Sequence, residues 1–234
     1  MRLALCVPFR PHGRAAGRRA VLVLALAAVS AGILPAGIAR AGPDGAARAQ
    51  AVRQLITVTA ASHSVTVAVL RAYRVSGGKR TLVFGPWTAR VGYKGVARPG
   101  RKREGDGRTP SGTYGISFFF GVQRDRGFAF SFRHAHRYDY WDDDPASARY
   151  NEWVNARKRD PGARPEPLHR VPAYDYAAVI AYNPARVPGR GSAIFLHAGT
   201  GGATAGCVSL PRARLIKILL WLRPRDLPRI AISA

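Results

Sequence analysis

Acid, thiols and long apolar runs are all scarce in this chain. Asp and Glu number 13 against 37 Lys and Arg in 234 residues, a formal charge of +24. Cysteine occurs twice, at Cys6 and Cys207, so no disulfide framework is available. The most apolar stretch, residues 20–34 (AVLVLALAAVSAGIL), falls short of the roughly 20 residues that span a bilayer. Internal repeats and a second linker are also missing. Lysine is rare beside arginine, 5 against 32. With abundant Ala and Gly, that ratio reads as codon bias from a GC-rich genome rather than as a binding signal.

What is present at the N-terminus is an export pattern. Arg2, Arg10, Arg14, Arg18 and Arg19 precede the apolar run without an acid, and Ala39-Arg40-Ala41 makes a small-residue cleavage site. The alternative is an uncleaved N-terminal anchor. Arg18-Arg19 matches the paired arginines of twin-arginine export without the rest of that motif. Residues 1–41 are therefore expected to be a signal peptide, and 42–50 (GPDGAARAQ) a flexible lead-in. Cleavage removes six arginines and no acid, leaving +18. A basic exported protein is attracted to anionic envelope polymers, and export argues against nucleic acid as the partner. Cleavage also removes Cys6. Cys207 is then the one thiol, unable to pair internally and a candidate reactive group.

Residues 54–60 and 64–73 alternate apolar and polar and predict strands, with a turn at Ala61-Ser62-His63. Another turn at 77–80 leads to a strand over 81–92, broken at Gly85-Pro86. Residues 95–108 predict loop, and a strand starts at Thr113 after the Pro110/Gly112 turn. Residues 174–183 and 192–197 predict buried strands. Helical spacing is clear at 211–222, where Leu215, Ile218, Leu219 and Leu222 share a face and Pro224 sets the end. "RIAIS" predicts a last strand. Asp144 before Pro145 predicts a helix start. The aspartates 142–144 lack the spacing of a calcium loop. His134 and His136 could share a zinc ion with an Asp, but no further ligand spacing supports it. No metal and no cofactor are expected. The sum is one β-rich domain over 51–234.

The chemistry concentrates in "HAGTGGATAGC", residues 197–207. Ala193, Phe195 and His197 share a strand face, so His197 emerges at a sheet rim. Gly199, Gly201, Gly202 and Gly206 allow the following loop to double back and bring Cys207 beside His197. An imidazole within reach of a thiol takes its proton. A helix beginning near Leu210 would favour the thiolate, so an unusually acidic thiol is expected. The N–H groups of Gly206 and Cys207 would form an oxyanion hole for acyl transfer. Taken singly, a buried Cys is often a small hydrophobe and a strand-end His a structural group.

"HAGTGGATAGCVSL" resembles the signature of the L,D-transpeptidase catalytic domain. Thr204, Gly206 and Cys207 match a [Ser/Thr]-His-Gly-Cys core, and His197 matches the earlier histidine. "REGDGRTPSGTY", 103–114, is similar to the family's Thr-Pro-x-Gly-Thr turn. Ala205 stands where a second His is frequent, Ser209 where Asn or Arg is common, and the His-to-Cys gap is short. The resemblance implies a mixed α/β, β-rich fold of antiparallel and mixed sheets with one or two helices. It implies a Cys207 nucleophile, His197 as base with the Ala198 carbonyl orienting its ring, and Gly199 and Thr204 supporting the loop. The implied partner is the peptidoglycan stem tetrapeptide, crosslinked 3→3 through a Cys207 thioester by a secreted, wall-associated monomer. L,D-carboxypeptidase hydrolysis at the same site and a degenerate wall-binding protein are the alternatives. A papain-like peptidase fits poorly, because there the Cys precedes the His.

N-terminal sequencing of exported protein should find a start near Gly42; an intact Met1 would rule out cleavage.

Overall fold

The computed structural model describes residues 51–234, so the signal peptide and the lead-in read from residues 1–50 lie outside the described residues. Twelve strands and one α-helix follow in order: β1 (Gln54–Ala60), β2 (Val67–Ser76), β3 (Lys79–Arg90), β4 (Gly112–Gly121), β5 (Phe132–His134), β6 (Asp139–Trp141), β7 (Trp153–Asn155), β8 (Glu166–Pro167), β9 (Ala177–Ile180), β10 (Phe195–Ala198), β11 (Val208–Leu210), α1 (Arg212–Trp221) and β12 (Arg229–Ser233). The fold is mixed α/β and β-rich, as the sequence predicts.

Nine strands form one mixed sheet in the order β12-β1-β2-β3-β11-β10-β9-β4-β5, and an added β12–β4 pairing gives it a barrel-like closure. Strands β6, β7 and β8 make a small second sheet. Alternation along the strands divides the apolar side chains between two cores. Leu196, Ala198, Ala178, Ile180, Phe119, Val208 and Leu210 point into the larger one, with Ile56, Val58 and Leu70 of the β1–β2 hairpin. Their neighbours Phe195, Ala177, Val179 and Phe120 point the other way, into a smaller core with Trp141, Leu168, Tyr174 and Cys207. The sheet thus places Cys207 in a satellite core on its far face.

Helix α1 buries Leu215, Ile218 and Leu219 in the larger core, the face its spacing predicts. Its last turn needs partners for carbonyls left without intrahelical donors. Buried Gln54 supplies one, donating to Trp221 O at 2.8 Å while accepting from Arg223 N at 2.8 Å. At the other end Arg212 pairs with Asp175 at 2.7 Å.

Two local predictions need correction. Strand β3 runs through Gly85-Pro86 instead of breaking there. The irregularity is absorbed as a register shift against Leu70–Ala72 of β2. Gly85 takes φ +98°, and a Cβ there would lie 2.5 Å from Leu70 O, so glycine is required. The helix expected from Pro145 does not form. Asp142 and Asp144 hold turns instead: Asp142 accepts from Asp144 N and Ser147 Oγ, and Asp144 from Ala146 N and Ala163 N. Those bonds give the backbone a competing set of partners. The exposed His134 and His136 rings sit 4.7 Å apart, with no group of three potential metal ligands among the described residues. No helix among them is long and apolar enough to cross a membrane.

Ile218→Ala should lower unfolding free energy by about 2–5 kcal/mol, whereas Leu220→Ala on the exposed side of α1 should change it by less than about 0.5 kcal/mol. Urea denaturation of both variants checks the contrast.

Candidate active site

Strands β10 and β11 are parallel, with Leu196 opposite Val208 and His197 opposite Ser209. The nine residues between them must return the chain to its starting level. Parallel neighbours normally need a connection of a dozen residues or more. Glycine makes the shorter path feasible. Gly201 takes φ +97°, and a Cβ at Gly199 would lie 3.3 Å from Leu210 O. Midway, Thr204 pairs with the chain just beyond β3: Tyr93 N donates to Thr204 O at 2.7 Å and Thr204 N to Val91 O at 2.9 Å. Gly206 then presses against Arg108, where a Cβ would lie 3.1 Å from the carbonyl oxygen. By the parallel register Cys207 follows Phe195 and sits two residues before Ser209, on the same face as His197.

Both groups are buried, Cys207 at 7% exposure and His197 at 9%. The His197 ring is 2.8 Å from Ala198 O through Nδ1. A carbonyl only accepts, so Nδ1 carries the hydrogen and Nε2 of the neutral ring keeps its lone pair. Tyr174 packs edge-on against the ring, centroids 5.4 Å apart. Burial lowers the imidazole pKa below its ordinary value. The Ala198 and Ala173 carbonyls oppose that shift, and Arg170 adds to it. The Cys207 thiol donates to Ala193 O and accepts from Phe195 N, each at 3.3 Å. Neither bond reaches the imidazole.

The expected acidic thiol is not what this environment gives. Burial pushes the Cys207 pKa up to about 12; the Phe195 N–H lowers it, and the carboxylates Glu166 and Asp143 raise it. The anticipated helix dipole is absent as well. Strand β11 separates Cys207 from α1, and a helix terminus acts only within its first turn.

The carbonyl of Cys207 is held from two sides. Thr109 Oγ1 donates to it at 3.0 Å and Thr204 Oγ1 at 2.7 Å. Gly206 N–H, one of the two expected oxyanion donors, is turned back to Thr204 Oγ1 at 3.2 Å. The other, Cys207 N–H, has no side-chain acceptor among the described residues.

Cys207, His197, Thr204, Gly206 and Ser209 line one cavity of about 520 Å³, with Glu104, Asp143, Glu166, Lys102, Arg170 and Tyr174 along its other walls. The wall sets three carboxyl groups against two cations, and Arg170 pairs with Glu166 at 3.1 Å. Lys102 is committed to Asp106 at 2.7 Å and Arg103 O at 2.6 Å. Ser192 Oγ lies 2.7 Å from Glu104 and 2.8 Å from Asp143. Burial raises the Asp143 pKa to about 7; Ser192 lowers it, while Glu104, Glu166 and Asp142 raise it further.

The structure brings Cys207, His197, Ala198, Gly199, Thr204 and Gly206 together around this loop. Sequence reasoning missed Thr109, Glu104, Asp143, Glu166 and Tyr174. Thr109 had a signal, since it opens the Thr-Pro-x-Gly-Thr turn. The carboxylates had none, being scattered over two loops and strand β8. A family model described as the YkuD, L,D-transpeptidase catalytic domain matches residues 53–231. Among solved structures, the chain is similar to the helical cell shape determining protein Pgp2 from Campylobacter jejuni, at 14% identity and a TM-score of 0.35. That match covers 76% of this chain and 46% of the other, so the chain spans less than half of Pgp2. No curated protein matches it.

Alkylation of Cys207 by iodoacetamide should keep accelerating as pH rises, without levelling at the ordinary thiol value of about 8.5. Asp143→Asn removes a nearby negative charge and should shift the profile to lower pH. A plateau at the ordinary value would show an unperturbed thiol.

Proposed function

Since the chain belongs to the L,D-transpeptidase catalytic-domain family, which acts on peptidoglycan stem peptides, we propose that it is an exported cysteine acyltransferase forming 3→3 crosslinks. One observation supports the reading above the others. Cys207 and His197 share a face of the β10–β11 pair and one cavity, with the imidazole tautomer leaving Nε2 as acceptor.

The stem tetrapeptide enters this cavity with the carbonyl of its third residue at Cys207. His197 Nε2 takes the thiol proton as Sγ attacks, so the thiolate forms only as it is used. Cys207 N–H faces the developing oxyanion. The C–N bond to the terminal D-amino acid breaks, its nitrogen receives the proton from His197, and a thioester remains. A neutral amine of a second stem then attacks the thioester. Its proton passes to His197 Nε2, the C–S bond breaks, and the proton returns to Sγ. Water in place of the amine gives hydrolysis by the same steps.

The base works only when neutral. Because burial lowers its pKa, acylation should hold at neutral pH and fall only as pH drops below the ordinary histidine value of about 6.5.

Incubation with a defined stem tetrapeptide should add the mass of the acylated stem to the parent protein. Cys207→Ala should show no adduct. His197→Ala should fold yet acylate on the order of 10² to 10⁴ more slowly, and the double variant should be no worse than Cys207→Ala. A folded His197→Ala protein acylating at the parent rate would remove the histidine from the mechanism. Crosslinked dimers against free tripeptide separate transfer from hydrolysis.

A further inference from the structure

Thr109 lies 98 residues from Cys207 in sequence and is fully buried, yet its hydroxyl ends on the Cys207 carbonyl. It does not act alone. Gly92 N–H donates to Thr109 Oγ1 at 2.8 Å, and Gly206 N–H donates to Thr204 Oγ1 at 3.2 Å. Each hydroxyl thus accepts one backbone N–H and sends its single proton to the same carbonyl oxygen. Two relays converge on one peptide group, and within each the accepted N–H polarises the hydroxyl and strengthens the bond it donates.

The loop carrying Thr109 is anchored without that hydroxyl. Thr109 N donates to Gly95 O at 2.9 Å, and Ala97 N donates to Thr109 O at 2.8 Å. The side chain is therefore free for a separate task. The thiol's own bonds, to Phe195 N and Ala193 O, do not involve either threonine.

We propose that Thr109 is a positioning residue for the nucleophile: together with Thr204 it clamps the Cys207 carbonyl, fixing the direction of Sγ and of the Cys207 N–H relative to the incoming acyl carbon. The proposal rests on Cys207 being the nucleophile. Substrate binding is not its role, because Thr109 sits behind the loop and is absent from the cavity wall. Clamp and tautomer are complementary, one orienting the attacking atom and its oxyanion donor, the other orienting the base.

The test compares Thr109→Val, which keeps the shape and loses the hydroxyl, with Thr109→Ser, which keeps the hydroxyl. Acylation by the stem tetrapeptide is followed by intact mass over a range of substrate concentrations. Thr109→Val should lower the limiting acylation rate on the order of 10²-fold, leaving the half-saturating concentration unchanged. Thr109→Ser should restore the rate. Iodoacetamide alkylation should keep the parent pH profile in both; a merely structural role would loosen the loop and speed it. Thr204→Val removes the other half of the clamp and should give the same split, so it decides the matter if Thr109→Val does not fold. A folded valine variant acylating at the parent rate would overturn the proposal, as would a serine variant as slow as valine. A parent protein that forms no acyl-enzyme would overturn the functional reading and this one with it.

Discussion

The short parallel crossover between β10 and β11 is the constraint on which the site depends. Two strands running the same way, joined by nine residues and no helix, leave the chain little freedom in its return path. The loop must turn sharply, which accounts for Gly199 and Gly201. It must also find partners for its backbone polar groups away from its own strands, which it does by pairing Thr204 with the chain beyond β3. Once these demands are met, Cys207 has one place to go: the same sheet face as His197, against Phe195. The loop's tightness and the thiol's placement are one feature.

The resting site is electrically quiet. Burial raises the thiol pKa to about 12 and lowers that of the imidazole, so both shifts favour a neutral thiol beside a neutral ring. In the proposed reaction the charge separates as Sγ bonds to a carbonyl carbon and the negative charge moves onto oxygen. Burial protects the thiol and makes its reactivity depend on substrate. The two threonine hydroxyls hold the Cys207 carbonyl, and the Ala198 carbonyl holds the His197 ring.

Charge is organised locally against the global excess. The chain is strongly basic, yet the cavity wall gathers Glu104, Asp143 and Glu166 beside Lys102 and Arg170. Glu104 and Asp143 come from two loops and Glu166 from β8, and the first two share the Ser192 hydroxyl. Glu166 and Asp143 raise the thiol pKa, and Glu104 and Glu166 raise that of Asp143.

Short-range periodicity in the sequence was enough to determine the strands near both ends, the apolar face of α1, and the conjunction of His197 with Cys207 on a glycine-rich loop. These depend on neighbours a few residues apart, where alternation and glycine content act directly. Tertiary structure alone decided the rest. The thiol's raised pKa follows from burial among Phe195, Trp141 and Tyr174, which reach it from other segments of the chain. The absence of a helix at Pro145 follows from side-chain oxygens that capture nearby backbone donors and from Ala163, which comes in from a separate loop. The loss of the Gly206 donor and the grip of Thr109 on the Cys207 carbonyl need distances between segments brought together only by the sheet. Electrostatics and hydrogen-bond partners are properties of space, and a linear pattern records only which residues are available to fill it.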